Sequence, residues 1–264
     1  MQDLKALCHD CLPLMDEVGD FIRSQIGQVA SGQIETKDLN SLVSYVDKTA
    51  EEILVAGLKK RTPKAAFLTE EETVDQVKGD VRWIIDPLDG TTNFLHGVPV
   101  FAISVGLEID GELVMGLVQE VNRTESFYAW KNGGAYLNGK AIQVSSADQL
   151  ADSLLATGFP YYDFSRSEDY LKVLGQFMQK TRGLRRLGAA AIDLAFVACG
   201  RFEAFFEYGI NTWDVAAGIV LVQEAGGELT DFSGGKKFLT GEEIIATNGK
   251  ITQELLAVSN ILGR

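Results

Sequence analysis

The run Trp83-Ile84-Ile85-Asp86-Pro87-Leu88-Asp89-Gly90 constrains the fold of this chain more than any other stretch. Its apolar, β-rich start reads as a buried strand. That strand empties into a turn carrying two carboxylates three residues apart. Pro87 fixes its own φ and biases Asp86 toward extended geometry, while Gly90 permits torsions that other residues resist. A rigid turn is expected. Its residues leave two readings level: Asp, Pro and Gly are ordinary turn formers, or the carboxylates and the Leu88 carbonyl between them converge on a hard divalent cation.

The segments around this strand predict a layered molecule. Leu4, Leu7, Cys11, Leu14, Val18, Phe21, Ile22, Ile26 and Val29 recur at steps of mostly three and four, the signature of a long amphipathic helix ending near Gly32. A polar loop and a second helix, from about Asp47 to Leu58, follow. Residues 66–68 and 81–85 read as strands. From Val100 to Trp130 the pattern is an antiparallel meander broken at Asp110-Gly111, a strong hairpin signal, and at Asn122-Arg123. Beyond a strand at 153–157, helix and strand alternate: helix near 166–179, a short run at 183–187, helix at 189–199, strand at 202–206. A small-residue helix over 215–225 is closed by Gly226-Gly227. Two mixed sheets with helices between and outside them are predicted. With 264 residues and no linker or repeat, any boundary, placed near residue 150, is a cleft between halves 1–150 and 151–264 of one compact unit.

Charge narrows the partners. Asp and Glu number 37 against 24 Lys and Arg, a formal charge of −13, which repels nucleic acid and anionic membrane over most of the surface. An acidic chain still binds an anionic substrate if divalent metal neutralises its carboxylates locally. Three cysteines, no apolar stretch of membrane-spanning length and a polar N-terminus lead us to expect a cytoplasmic protein without a disulfide framework.

Further acids accompany the central turn. Glu70-Glu71-Glu72 ends an apolar run, where one carboxylate could face the same cleft, although clustered Glu is usually a solvated face. Asp214 in Trp213-Asp214-Val215-Ala216-Ala217-Gly218 stands at a helix start, where an N-cap is its ordinary use. Small residues behind it permit close backbone approach. Free N–H groups at that start, and after Gly90 if Thr91-Thr92-Asn93 opens a helix, suit an anion.

These motifs resemble the inositol monophosphatase family, the Mg²⁺-dependent, lithium-sensitive phosphatases that include a class of fructose-1,6-bisphosphatases. One signature runs from Trp83 to His96 and a second from Trp213 through Gly226-Gly227. Leu42-Val43-Ser44 with Asp47, Thr69-Glu70-Glu71, Gly188-Ala189-Ala190 and Glu207-Tyr208-Gly209-Ile210 match in family order, covering nearly the whole chain. The resemblance implies an α-β-α-β-α sandwich of the sugar phosphatase type. It implies that Glu70, Asp86, the Leu88 carbonyl, Asp89 and Asp214 hold two or three Mg²⁺ ions, and that Glu70 and Thr91 position a water whose proton Asp47 receives or relays. It further implies that Asp89, Gly90, Thr91, Thr92 and Asp214 contact the phosphate ester, with Ala190 and Glu207 on its alcohol portion. A homodimer is part of the same expectation.

The resemblance departs at Ser41-Leu42-Val43-Ser44, where many members have Asp and Thr in place of the two serines. A hydroxyl is kept at Ser44 and a small polar cap at Ser41, so altered loop order is expected rather than lost catalysis, with a third metal position in doubt. Thr92-Asn93-Phe94 in place of Lys-Glu-Phe argues against a nucleotide phosphatase. Fructose-1,6-bisphosphatase or histidinol-phosphate phosphatase activity is the alternative within enzymes, and a protein-interaction role with secondary catalysis the alternative outside them. Cys8 and Cys11 read as helix-face packing, His96 as an exposed loop histidine, and Arg182, Arg185 and Arg186 as solvated or paired charges.

Overall fold

The computed structural model describes residues 3–38, 41–240 and 242–263. Helix α1 (Leu4–Ser24) begins under an N-cap, where Asp3 accepts from the Ala6 N–H at 3.1 Å. It ends eight residues before the predicted stop at Gly32, because Gly27 takes φ +71° and the apolar period runs on into a turn. The predicted polar loop is in fact a hairpin, β1 (Ile34–Asp38) antiparallel to β2 (Ser41–Ser44), anchored by the buried Val43. The Ser41 side chain, expected to be a polar cap, lies outside the described residues. Helix α2 (Tyr45–Arg61) follows directly.

The first sheet has seven strands: β3 (Ala66–Thr69), β4 (Val81–Asp89), β5 (Ala102–Ile109), β6 (Glu112–Glu120), β7 (Glu125–Trp130), β8 (Gly134–Leu137) and β9 (Lys140–Ile142). They lie side by side in chain order. β3 and β4 are parallel, and every later pair is an antiparallel neighbour. Asp110 and Gly111, both at positive φ, make the tight turn between β5 and β6 that the Asp-Gly pair predicts. Short helix α3 (Thr91–Leu95) leaves the end of β4.

The second sheet takes β10 (Leu154–Thr157), then β11 (Gly183–Arg185) after helix α4 (Ser167–Lys180), then β12 (Ala204–Tyr208) after helix α5 (Ala190–Ala198). After helix α6 (Thr212–Glu224), β13 (Glu228–Thr230) and β14 (Glu243–Thr247) complete it in the order β11-β10-β12-β14-β13, and α7 (Thr252–Ser259) closes the chain. Strand β12 starts and ends two residues later than its apolar run suggests, and the later end brings Glu207 inside the strand.

Burial shows five layers. Trp83 and Ile85 of β4 pack with α1 and α2, while Ile84, on the opposite face, packs with α5 and α6. The same middle helices meet Ala156, Phe205 and Ala246 of the second sheet. α4 and α7 cover that sheet's outer face through Tyr170, Val173, Phe177 and Leu255. The order is α-β-α-β-α, as the motifs imply, and β4, covered on both faces, is the buried strand its continuous apolar run predicts. Close approach of α6 depends on glycine: a Cβ at Gly116 would lie 2.2 Å from the Ala217 carbonyl oxygen. The short side chains of Ala216-Ala217-Gly218 serve the seating anticipated for them. Cys8 and Cys11 are buried free thiols on α1, and burial pushes both up to about 12, so they pack and do not react.

Candidate active site

Asp86 and Asp89 share a cleft because β4 is irregular. Side chains i and i+3 of a regular strand point to opposite faces, but the pairing of β4 with β5 slips between Asp86 and Asp89. Pro87, with no N–H to give, sits in that slip. The Leu88 N–H donates to Asp86 Oδ1 at 2.9 Å and fixes the turn. Gly90 follows at φ +91°, with the Val100 and Gly188 carbonyls 3.0 and 3.2 Å from where a Cβ would stand. The rigid turn predicted from Pro87 and Gly90 is observed.

The second half of the chain is tied to this turn. Asp89 Oδ2 accepts from the Ala191 N–H at 2.7 Å, so Asp89 satisfies the start of α5. Asn93 Nδ2 donates to the carbonyls of Val100 and Leu187 at 2.8 and 2.9 Å. The cleft between the halves holds about 350 Å³ and is lined by Glu70, Asp86, Asp89, Gly90, Thr91 and Thr92 on one side and by Ala190, Glu207 and Asp214 on the other. Asp214 is not an N-cap, as first expected. Asn211 is the cap, and Asp214, at the third helical position, accepts from its N–H at 2.7 Å in a capping box.

Asp47 is buried and does not line the cleft itself; it meets the cleft lining through Thr91. Ser44, where only a retained hydroxyl is expected from the sequence, caps α2, and both its N–H and its hydroxyl donate to Asp47 Oδ2 at 2.8 Å. The other Asp47 oxygen accepts from the Thr91 hydroxyl at 2.8 Å, and that hydroxyl also lies 3.0 Å from the Leu88 carbonyl. Burial holds the Asp47 carboxyl above the usual carboxylate range, against the hydrogen bonds from Ser44 and Thr91.

Electrostatics mark the cluster. Burial, then the charges of Glu70, Asp89 and Asp214, drives Asp86 well above the ordinary carboxylate value, and Asp86 shares hydrogen bonds with Glu70 and Asp214. Burial raises Asp89 to about 7 against the Ala191 N–H that stabilises its charge, and raises Asp214 to about 7 with Asp89 adding to the effect. No three His, Cys, Asp or Glu side chains among the described residues form a preformed cation cage. What distinguishes the four acids is mutual repulsion in a buried place, which a divalent cation among all-oxygen donors relieves.

Two residues, Asp193 and Gly158, went unread in the sequence, and Arg186, read there as a solvated or paired charge, stands at the cleft. Asp193, within an apolar helical run, lines the cleft. Burial, then Glu207 and Asp89, pushes its carboxyl well above the ordinary value. Arg186 also lines the cleft and donates to the Tyr161 hydroxyl at 3.0 Å. Arg182 pairs with Asp152 at 2.7 Å as expected, so the basic cluster divides. Gly158 lies against Glu207: a Cβ there would fall 1.9 to 2.2 Å from three atoms of the Glu207 carboxyl group. His96 is exposed at the rim, on the loop side and yet beside the cleft.

Residues 10–261 match the profile of the inositol monophosphatase family. The chain is 42% identical over 243 residues to the Nus factor SuhB of Pseudomonas aeruginosa, covering 90% of each chain. It is 39% identical over 241 residues to the inositol-1-monophosphatase of Mesorhizobium japonicum, covering 91% of each. The crystal structure of the extragenic suppressor protein suhB of Bartonella henselae superposes with a TM-score of 0.91 at 38% identity, covering 96% of this chain and 98% of that one.

Proposed function

The chain belongs to the inositol monophosphatase family, and from that premise we propose that it is a Mg²⁺-dependent phosphomonoesterase acting on a small polyol or sugar phosphate, with inositol monophosphate as its ester. The observation that carries this reading is the set of mutually repelling acids, Glu70, Asp86, Asp89 and Asp214, lining one cleft together with Glu207. Purely oxygen donors fit Mg²⁺, and these four side chains with the Leu88 carbonyl would hold it. Bound there, Mg²⁺ would offset the carboxylate charge, polarise the phosphoryl group and acidify a water.

The remaining work falls to the chain's own groups. Thr91 accepts a hydrogen bond from the attacking water while donating to Asp47, so the proton leaving the water has a path to a carboxylate made more basic by burial. Glu70 would help orient the same water. Gly90, Thr91 and Thr92 contact the phosphate through N–H and hydroxyl groups, and no covalent enzyme intermediate is needed. Ala190 and Glu207 face the alcohol, a carboxyl group being a good acceptor for its hydroxyls.

Family membership also supports a homodimer, Li⁺ inhibition and two units, 1–150 and 151–264, acting as one. Free cysteines support a reducing, cytoplasmic setting. Among the described residues no helix is long and apolar enough to cross a membrane. The SuhB relative's designation as a Nus factor supports a second reading, in which the chain also serves as a macromolecular partner. The charge of −13 favours a protein over a nucleic acid in that role.

Phosphate release from inositol monophosphate, fructose-1,6-bisphosphate and histidinol phosphate at equal Mg²⁺ tests the substrate. The inositol ester is expected to lead in kcat/KM by at least about tenfold. A lead for either other ester would reassign the substrate.

A further inference from the structure

We propose that Asp193 is a substrate-reading residue: its carboxyl group, beside that of Glu207, forms a two-acid subsite for adjacent hydroxyls of a polyol monophosphate. The inference rests on the phosphatase reading above and names the part of the cleft that selects the alcohol.

Asp193 is 1% exposed on α5, among Ile192, Leu194 and Ala195, all fully buried. An acid in such a run is rare unless it is paired. Yet its Oδ1 has no hydrogen-bond partner among the described residues, and the N-cap of α5 is Ala189, so Asp193 caps nothing. A buried polar atom without a partner calls for an explanation in a ligand or a water. The side chain lines the cleft, and the charges it senses are those of Glu207, Asp89 and Arg186.

Glu207 is placed with equal care. It is 8% exposed near the end of β12, with Gly158 beneath its carboxyl group where any larger residue would collide. Two carboxyl groups offer up to four oxygens, enough to engage two neighbouring hydroxyls at once. Arg186, reaching the same region, already supplies a cation there, which leaves little call for an ammonium on the substrate. A second phosphate would find a single cation there, Arg186, beside two buried carboxyl groups better matched to hydroxyls. The chemistry favours a hydroxyl-rich monoester over a bisphosphate or an amino alcohol ester.

The test compares myo-inositol 1-phosphate with cyclohexyl phosphate, the same ring stripped of hydroxyls, in saturating Mg²⁺. Asp193→Leu is expected to raise KM for the inositol ester at least about tenfold while leaving both kinetic constants for cyclohexyl phosphate within about twofold. Asp193→Asn keeps one acceptor and a donor and is expected to recover most of that loss. Because the leucine removes an orphaned polar group, its unfolding midpoint is expected to be unchanged or higher. An unchanged ratio between the two esters overturns the inference, as does an equal loss on both or a raised Mg²⁺ requirement. Failure of the unmodified protein to hydrolyse either ester overturns the phosphatase reading, and this inference with it.

Discussion

Asp89→Asn is expected to lower phosphate release about 10³-fold, roughly 4 kcal/mol of transition-state stabilisation, while leaving the fold intact. The amide oxygen can still accept from the Ala191 N–H, so the tie between β4 and α5 survives. What disappears is one charge of the cation-holding set. Stability in metal-free buffer gives an independent readout. Asp89 and Asp214 bind protons more tightly folded than unfolded, since burial lifts both from 3.8 to about 7. Their contribution to stability is therefore complete below about pH 4 and is lost as pH rises toward 7. The unfolding midpoint of the metal-free protein should fall over that window, and Asp89→Asn should flatten the fall. A variant within tenfold of normal turnover at limiting Mg²⁺ would contradict the role given to Asp89, and a steeper pH dependence would contradict its electrostatic origin.

Thr91 and Asp47 carry the second prediction. Thr91→Val removes the hydroxyl at almost constant volume, and Asp47→Asn puts an amide where a proton acceptor stood. Each is expected to lower kcat about 100-fold with little change in KM, the range associated with a positioned proton acceptor. Asn can still accept from Ser44, so α2 keeps its cap and unfolding should shift by no more than about 1 kcal/mol. Because the two groups form one path through the 2.8 Å hydrogen bond, the double variant should be no worse than the poorer single. A double variant near 10⁴-fold down would mean that the groups act independently and that no proton passes between them.

The candidate site was legible where its residues are contiguous. Asp86 and Asp89 announce a special turn because Pro87 and Gly90 leave a strand few ways to end, and the small residues after Asp214 announce a helix seated on the sheet. Their shared orientation was not legible, since it depends on a slipped β4–β5 pairing that has no signature in strand periodicity. Asp47, about forty residues from Thr91, came only through family resemblance, for a capping-box acid looks the same whether or not its second oxygen faces a cleft. Asp193 was hidden for a related reason: one acid in an apolar helix reads as an interruption until the sheet opposite brings Glu207 beside it. The β1–β2 hairpin was missed because six of its nine strand residues are polar, and Val43 is its one buried apolar anchor among the described side chains.

The fold followed more closely, because the layers are set by patterns that each segment carries alone. The continuous apolar run of β4 required cover on both faces, and α1 with α2 and α5 with α6 supply it. Helix ends and strand starts shifted by a few residues where glycine or a capping side chain outweighed the apolar period, as at Gly27 and Asn211.

The most direct test removes and restores the cation. Protein treated with EDTA and exchanged into metal-free buffer, then assayed for phosphate release from inositol monophosphate across a Mg²⁺ series, should be inactive at the start and regain saturable activity as Mg²⁺ is added. Undiminished release without divalent metal, or no release at any Mg²⁺ concentration from any ester of the panel, would contradict the assignment of the four clustered acids to a metal-dependent phosphatase centre.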